Sequence, residues 1–170
     1  AIGKTLWEIR GLTLDESGHP TDADLLAGCT MKIGSMKEAL IAAIESAADC
    51  NAKEGDKLGL GIATNMSSSK DATADAEGLC QAYSTYAAVA VNAEGVIAGC
   101  AVNCVQGNVK LDATGKITSD LAANVTDKKN LGEAYGMRKA SPIGKEWFEQ
   151  AAGFEAYAIG KTAADIAGIA

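Results

Sequence analysis

The stretch QAYSTYAAVAVNAEGVIAGCAVNCV, residues 81–105, decides the fold of this chain. Two runs rich in small and β-branched residues, 81–91 and 96–105, flank the polar connection NAEG at 92–95. Strand-forming runs on either side of a short connection that contains glycine predict an antiparallel β-hairpin. The chain therefore contains at least one pair of long antiparallel strands.

The connection also predicts the register of the hairpin. A turn that joins Val91 to Val96 places Tyr83 opposite Cys104, and it leaves Cys80 away from that thiol. Two sets of small side chains each share one face of their strand: Ala82, Ser84, Ala88 and Ala90 on the first, Ala98, Cys100, Val102 and Cys104 on the second. We expect a helix to lie close against these small residues.

Segments outside the hairpin add further strands and several helices. Strands are predicted at 29–33, 57–64, 108–111 and 116–121, with the turn DATG at 112–115 between the last two. Helices are predicted at about 36–49, from a cap at Thr126 to about 134, and from 142 to about 157. The pattern indicates an α+β fold, an antiparallel sheet of about four to six strands with helices packed on one face.

The composition excludes several classes of protein. Hydrophobic residues make up 48% of the 170 residues, which is enough for a core and rules out a disordered chain. Alanine supplies 33 residues and the aromatic residues only eight, so small side chains dominate that core. The formal charge of −7 repels phosphate backbones and argues against nucleic acid as a partner. No apolar run approaches the roughly 20 residues that a membrane-spanning helix needs.

The two ends of the chain carry the same motif. Residues 1–12, AIGKTLWEIRGL, match residues 158–169, AIGKTAADIAGI, at seven of twelve positions with a constant offset of 157. Both copies have the Thr-x-x-Glu/Asp spacing of a helix-capping box, followed by a glycine that ends the helix. A helix this short is stable only against other structure. The match predicts that 1–13 is a junction helix, a copy of 158–170, and that 14–170 is one unit of a tandem array.

The first residue and the cysteines bear on the setting of the protein. The sequence opens at Ala1 without a signal segment, so we expect either a removed signal or a chain cut from a longer protein. Five cysteines leave at least one thiol unpaired within the chain, and their pairing stays open: Cys29, Cys50, Cys80, Cys100 and Cys104. Because the chain has no CxxC motif and a single histidine, we expect no metal site.

One cluster of basic and hydroxyl residues is a candidate site for an anion. Arg138, Ser141 and Lys145 surround the predicted start of the helix 142–157, where Ser141 caps the helix and Pro142 takes its first position. Free N–H groups and the helix dipole favour a phosphate at such a start. No residues form a catalytic arrangement, so we expect no catalysis by this chain.

Two segments resemble a known bacterial family. Residues 84–117, STYAAVAVNAEGVIAGCAVNCVQGNVKLDATGKI, resemble bacterial FMN-binding-domain proteins of the membrane-immunogen and pheromone-lipoprotein type. The segment YGMRKASPIGKEW at 135–147 is similar to a block of secreted tandem-repeat proteins often grouped with that domain. In those proteins a helix and a V-G-K-T element follow, for which IGKT at 159–162 is the counterpart. The resemblance implies a repeated unit that is secreted or held at the cell surface.

The resemblance also bears on flavin binding. Related flavoproteins attach FMN covalently through an Asp-x-Ser/Thr-Gly-Ala-Ser/Thr pattern, of which DATG at 112–115 keeps the first four positions. Lys116 and Ile117 follow, so the acceptor hydroxyl is missing. The resemblance thus leaves noncovalent FMN binding as the form to consider, with rings available for stacking from Tyr83, Tyr86 and Tyr135.

The leading hypothesis is an extracellular structural or adhesive repeat unit that assembles end to end into an array or fibre, without catalysis of its own. Its partners are then neighbouring copies of the same unit, in the same chain or in another, and no cofactor is expected. The alternative is a noncovalent FMN-binding extracellular electron carrier in which Arg138, Ser141 and Lys145 hold the phosphate. A calcium-stabilised surface module is a third reading, with two groups of acidic residues as candidate ligands: Asp15, Glu16, Asp22 and Asp24, and Asp71, Asp75 and Glu77.

Overall fold

Short helices form the first part of the chain, and a β-sheet with further helices forms the second. The computed structural model describes residues 2–169. The chain divides into two units, Ala1–Asp49 and Cys50–Ala170. The division of the sequence into a junction helix, 1–13, and a repeat unit, 14–170, stays a prediction. None of the helices within 2–169 combines the length and the apolar character that crossing a lipid bilayer requires.

The N-terminal unit consists of α1 (Leu6–Arg10), α2 (Ala23–Leu26) and α3 (Gly34–Glu45). The capping box predicted for α1 is confirmed, since the Thr5 N–H donates to the Glu8 carboxylate at 2.7 Å. α1 packs against α3, and Ile9 is only 2% exposed. This unit is therefore held by a small apolar contact between two helices.

Two predictions for the N-terminal unit are wrong. Residues 29–33 form no strand, because the unit contains no second strand with which their backbone groups could pair. α3 begins at Gly34 instead of about 36, and its last residue is Glu45 instead of 49.

The C-terminal unit is built on the predicted hairpin. β1 (Lys57–Asn65), β2 (Gly78–Val91) and β3 (Ile97–Leu111) form an antiparallel sheet in the order β1-β2-β3. The connection between β2 and β3 is a turn in which the Asn92 side chain accepts the N–H groups of Glu94 and Val96, at 3.1 and 2.9 Å. The α+β class with an antiparallel sheet is confirmed.

The number of strands differs from the prediction, because the described residues form three strands instead of four to six. After Leu111 the chain turns at Asp112 and returns, but it makes a single bridge between Leu111 and Ile117. The Ser119 hydroxyl then accepts the N–H of Lys110 at 2.8 Å. A side-chain oxygen thus replaces the next backbone acceptor, and the expected fourth strand ends there.

The register differs from the prediction by two residues. The turn pairs Val91 with Ile97 and not with Val96, and a bulge at Ala90/Val91 shifts the ladder by one more residue. Thr85, and not Tyr83, therefore lies opposite Cys104. Paired residues share a face, so Cys104 lies on the side of Thr85, whereas Ala90 and the other small residues of its set lie on the opposite side. The two small-residue sets therefore face different sides of the sheet.

Three helices follow the sheet: α4 (Lys128–Leu131), α5 (Trp147–Ala158) and α6 (Ala163–Ala167), with two 3-10 turns, Gly132–Tyr135 and Met137–Lys139, after α4. α5 packs against β3 and buries Ala151 and Ala158. α4 begins behind Asp127, whose carboxylate accepts the Asn130 N–H at 3.0 Å, so Thr126 does not cap it.

The start of α5 was predicted five residues too early. Ser141 is not the cap and Pro142 is not the first helical residue, since Glu146 is the N-cap residue. Gly144 has a φ of +63°, a left-handed conformation that cannot continue a right-handed helix. The residues before Glu146 therefore form a loop.

Candidate functional site

The loop 136–146 closes around the carboxylate of Glu146. Glu146 is 1% exposed, and its two oxygens accept the backbone N–H groups of Met137 and Arg138, each at 2.9 Å. Burial raises the pKa of this carboxyl, but the hydrogen bonds from Arg138 and Met137 outweigh burial and hold the pKa below its usual range. The anion that this loop binds is therefore the carboxylate of Glu146 itself.

A second carboxylate lies at the start of α5. The Glu149 side chain accepts the N–H of Glu146 at 2.8 Å and so satisfies a donor at the N-cap. Glu149 lies in the first turn, where a negative side chain is favoured by the helix dipole. The carboxylate of Glu149, a side chain of the helix itself, therefore takes the place that was predicted for a bound anion.

The guanidinium of Arg138 is held within the same loop. Its Nη2 lies 2.5 Å from a Glu133 oxygen, and its Nη1 lies 2.9 Å from a Glu149 oxygen and donates to the Gly144 carbonyl at 3.1 Å. The hydrogen bond to Glu133 is the main reason that the pKa of Arg138 is raised. The positive charge of Arg138 therefore has two carboxylate partners.

Ser141 and Lys145 lie in the same loop but play different parts. The Ser141 hydroxyl accepts the Ile143 N–H at 3.3 Å and the Gln150 amide at 3.2 Å. Gln150 also donates to the backbone carbonyl of Lys145 at 3.0 Å, while the Lys145 residue itself is exposed. The structure thus places the three predicted residues on one loop, and phosphate binding by them stays a prediction.

A buried lysine beside this loop was missed by the sequence reasoning. Lys128 is 6% exposed, and its Nζ lies 4.7, 4.8 and 5.7 Å from the ring centres of Tyr83, Tyr135 and Trp147. The same Nζ donates to the Tyr83 hydroxyl at 3.2 Å. A cation over several aromatic faces is stabilised by the negative potential of the rings. The one signal in the sequence was that aromatic residues are scarce, since the chain has only eight. Three of the eight surround this lysine.

The ionisation of this lysine cage, Lys128 with Tyr83, Tyr135 and Trp147, determines its chemistry. Burial lowers the pKa of Lys128, but hydrogen bonds to Tyr135 and Tyr83 prevail and raise it above its usual value. The pKa of Tyr83 is raised as well, first by its hydrogen bond to the Cys104 side chain and then by burial. At neutral pH the lysine is therefore a cation and the phenol is neutral, so neither is a ready nucleophile.

A cavity of about 310 Å³ adjoins the cage, between the sheet and α5. Its lining is largely apolar: Val102, Cys104, Met137, Trp147, Ala151 and Phe154, with Thr85 and Gln150 as the polar members. Ligand pockets run from roughly 300 to 1,000 Å³, so this cavity is at the lower end of that range. It can accept a small apolar group.

Polar contacts fix α4 and α5 to the free edge of β3. Glu155 of α5 accepts the Val102 N–H at 2.7 Å and pairs with Lys129 at 2.5 Å. The Asn103 side chain donates to Asp127 at 2.6 Å. The Glu155 carboxylate thus occupies the Val102 N–H, a donor that an unpaired edge strand would otherwise expose.

The thiols and acidic residues form no other site among residues 2–169. None of the five cysteines is paired there, and no group of three His, Cys, Asp or Glu side chains could hold a metal ion. Cys50 and Cys80 are exposed, and Cys104 is buried. Burial, and next the Glu155 carboxylate, raise the pKa of Cys100 and lower its reactivity at neutral pH.

The two copies of the junction motif share one backbone conformation. Gly3 and Gly160 have left-handed φ angles of +77° and +82°. Thr5 and Thr162 both cap a five-residue helix from extended backbone, with ψ angles of 164° and 168°. The Thr162 N–H donates to Asp165 at 2.8 Å, so the second predicted capping box is confirmed too.

The copies differ in what they contact. In the C-terminal copy, the Ile97 N–H donates to the Lys161 carbonyl at 2.9 Å and the Gly160 N–H to the Ile97 carbonyl at 2.8 Å. In the N-terminal copy the equivalent residues, 2–4, have no such contact, and Ile2 is fully exposed. There the helix part is docked instead, since Lys37 of α3 donates to the Leu12 carbonyl at 2.7 Å.

Comparisons with known proteins reach only part of the chain. No family model matches the sequence, and no solved structure matches. A segment of 43 residues is 46% identical to a chlorophenol reductase of Desulfitobacterium hafniense. The segment covers 25% of this chain and 13% of that protein, so the likeness is local and places the chain in no family.

Proposed function

We propose that this chain is an extracellular structural or adhesive repeat unit, similar to the FMN-binding-domain proteins, that assembles end to end without catalysis of its own. One observation carries the proposal: the junction motif occurs twice with one conformation, and each copy is docked on one side only. One copy of the motif contacts a strand, and the other copy contacts a helix. A motif that makes both kinds of contact is suited to connect one unit to the next.

The exposed apolar surface of the sheet supports the proposal. Leu58 of β1 is 82% exposed, and Leu60 and Ile62 on the same face are similarly open to solvent. Contiguous exposed apolar side chains are rare on isolated monomers and are typical of interaction surfaces. The lysine cage supports it as well, because at neutral pH its lysine is a cation and its phenol is neutral, so neither group is a ready nucleophile.

The proposal is tested on the full-length natural protein by negative-stain electron microscopy and light scattering. We expect elongated particles whose subunits repeat at a constant spacing, and a mass per length that matches about one unit per repeat. Single, compact particles at all protein concentrations would contradict an array. A control protein in which Ile2 and Ile159, at equivalent junction positions, are both replaced by Asp is expected to lose the regular spacing.

A noncovalent FMN-binding electron carrier is the second candidate. It is favoured by the local likeness to a protein named as a chlorophenol reductase, because reduction needs an electron donor. Arg138, Ser141 and Lys145 would hold the phosphate, which requires Arg138 to exchange a carboxylate partner for the ligand.

Titration with FMN distinguishes the two candidates. Quenching of flavin fluorescence that saturates with one FMN per chain, and that weakens in Lys145→Gln and Ser141→Ala, would favour the carrier. Lys116→Gln, a substitution outside the loop, serves as the matched control for loss of one positive charge. Unchanged flavin fluorescence would exclude the carrier.

A further inference from the structure

We propose that each junction segment is shared by two units: its IGKT residues (the strand part, which lies against β3) complete the sheet of the unit before it, and its helix part packs on an α3-like helix of the unit after it. This inference rests on the proposed function and names the surfaces that join the units. The occupant of the free face of α6 is thus residues 14–49 of a second copy, in the phase set by the 157-residue offset.

The helix part carries the first half of the argument. In α1, α3 covers Ile9, which is 2% exposed, and Leu12 lines the same apolar cavity as Ile9. The counterpart of Ile9 in the second copy is Ile166, which is half-buried, and the counterpart of Leu12 is Ile169, which is 46% exposed. The apolar side chains of the motif are therefore covered more fully in the first copy than in the second.

The strand part carries the second half of the argument. Gly160 and Lys161 exchange two backbone hydrogen bonds with Ile97 at the start of β3. Gly3 has the same left-handed bend as Gly160, yet no backbone hydrogen bond joins Ile2, Gly3 or Lys4 to another described residue. The start of β3 within this chain is already occupied, so the strand that fits the N-terminal copy belongs to a second copy.

The phase of the two halves agrees. The motif recurs at a constant offset of 157. Residue 14 therefore follows the first copy of the motif in the same way that a residue added after Ala170 would follow the second copy. A second copy of residues 14–49, joined directly to Ala170, therefore starts where α3 can reach α6 in the way that it reaches α1. No linker has to be invented to bring the two together.

Hydrogen exchange on an extended protein tests the helix half. The protein consists of residues 1–170 followed directly by a second copy of 14–49, and exchange is followed by mass spectrometry on a peptide that covers 163–169. We expect these amides to exchange about tenfold more slowly than in the unextended chain, because a covered helix opens less often. Equal exchange rates in the two proteins would overturn the inference.

A matched control removes only the apolar surface. Met36→Asp and Leu40→Asp are introduced in the second copy alone, since these α3 residues line the cavity beside Ile9. We expect the slow exchange of 163–169 to return to the rate of the unextended chain. Protection that persists in this control would overturn the proposed contact. Protection that rises with protein concentration would mean pairing between separate chains and would overturn the arrangement within one chain.

A second protein tests the strand half. Residues 50–157 are placed directly before Ala1, so that the N-terminal motif follows a complete sheet in phase. We expect the Gly3 amide to become protected about tenfold, as the Gly160 amide, which donates to the Ile97 carbonyl, is expected to be in the unextended chain. Unchanged exchange of the Gly3 amide would overturn the strand part of the inference.

The outcomes separate this inference from the proposed function. If the amides of 163–169 are protected but the intact protein forms only single particles, the junction contact is upheld and the array is overturned. A regular array of the intact protein with unprotected 163–169 would uphold the array and overturn the junction contact.

Discussion

Two charged residues are buried in the C-terminal unit, and each is compensated in a different way. Glu146 has backbone N–H donors at 2.9 Å, so its charge is met by hydrogen bonds inside a loop. Lys128 has the faces of aromatic rings and a phenol oxygen. An uncompensated buried charge would cost several kcal/mol, so both arrangements are needed for the unit to fold.

Replacing Tyr83 by Phe is expected to destabilise the chain by about 1–2 kcal/mol, because the buried ammonium of Lys128 loses a hydrogen-bond acceptor while the ring stays. Denaturant unfolding followed by circular dichroism measures the change. Tyr86→Phe is the matched control, since no hydrogen bond joins the Tyr86 hydroxyl to another described residue. A cost for Tyr83→Phe no larger than that of the control would contradict this role.

Replacing Gly99 by Ala is expected to destabilise the chain by about 1–3 kcal/mol, because an added Cβ would collide with the backbone carbonyl of Cys50. Gly61→Ala in β1 is the control, since nothing lies within 4 Å of an added Cβ there, and we expect a change within about 0.5 kcal/mol. Thermal unfolding of both variants checks the difference. Equal unfolding midpoints for the two variants would contradict this prediction, because the backbone at Cys50 would then move aside at no cost in stability.

At the scale of elements, the short helices depend on their caps. α1 and α6 have five residues each, fewer than an isolated helix needs, and each begins with a reciprocal capping box. The carboxylate of that box accepts the N–H of the N-cap threonine, so its charged form is favoured in the folded state. The main causes of the low pKa of Glu8 are its hydrogen bonds to the backbone and then to the side chain of Thr5.

The titration of Glu8 is expected to have a midpoint at a pH of about 2, below the ordinary value of 4.5. Because the folded-state pKa is lowered, the stabilisation from Glu8 is complete above the unfolded-state pKa and is lost as the pH falls from about 4.5 towards 2. NMR of the Glu8 carboxyl carbon measures the midpoint. Thr5→Ala should return the midpoint towards its ordinary value, and a midpoint that ignores this substitution would contradict the capping box.

At the scale of the whole molecule, the chain presents more surface than its size requires. It exposes 11809 Å², whereas two separate compact globules of the sizes of its units would expose about 9,200 Å². The excess includes apolar side chains such as Leu60 of β1. A protein that buries this surface against other copies would gain stability from each contact.

The two units are expected to differ in their independence. Residues 50–170 contain the sheet and α5 and should unfold cooperatively alone, whereas residues 1–49 bury few large side chains and should be mostly unfolded alone. Far-UV circular dichroism during heating, on each piece and on the whole chain, measures both. Cooperative unfolding of 1–49 by itself would contradict this expectation.

Local patterns alone were enough to predict the hairpin, β1, both capping boxes and the α+β class, because turn chemistry and capping depend on residues only a few positions apart. The bulge at Ala90/Val91, the loop before Glu146 and the end of the sheet after Leu111 depend on what packs nearby, so they were missed. The three candidate residues lie together, but on a loop and not at a helix start, and neither the carboxylates of that loop nor the lysine cage was foreseen. Glu146 meets Arg138, and Lys128 meets Tyr83, only after the chain has folded.

The sequence by itself determined that the junction motif recurs at an offset of 157, since identity between two segments requires no coordinates. Only the tertiary structure decided that one copy is docked by its strand and the other by its helix. The physical reason is that a five-residue helix and a short segment with a single bridge to the sheet gain their stability from the neighbours that they contact, and those neighbours are distant in the chain.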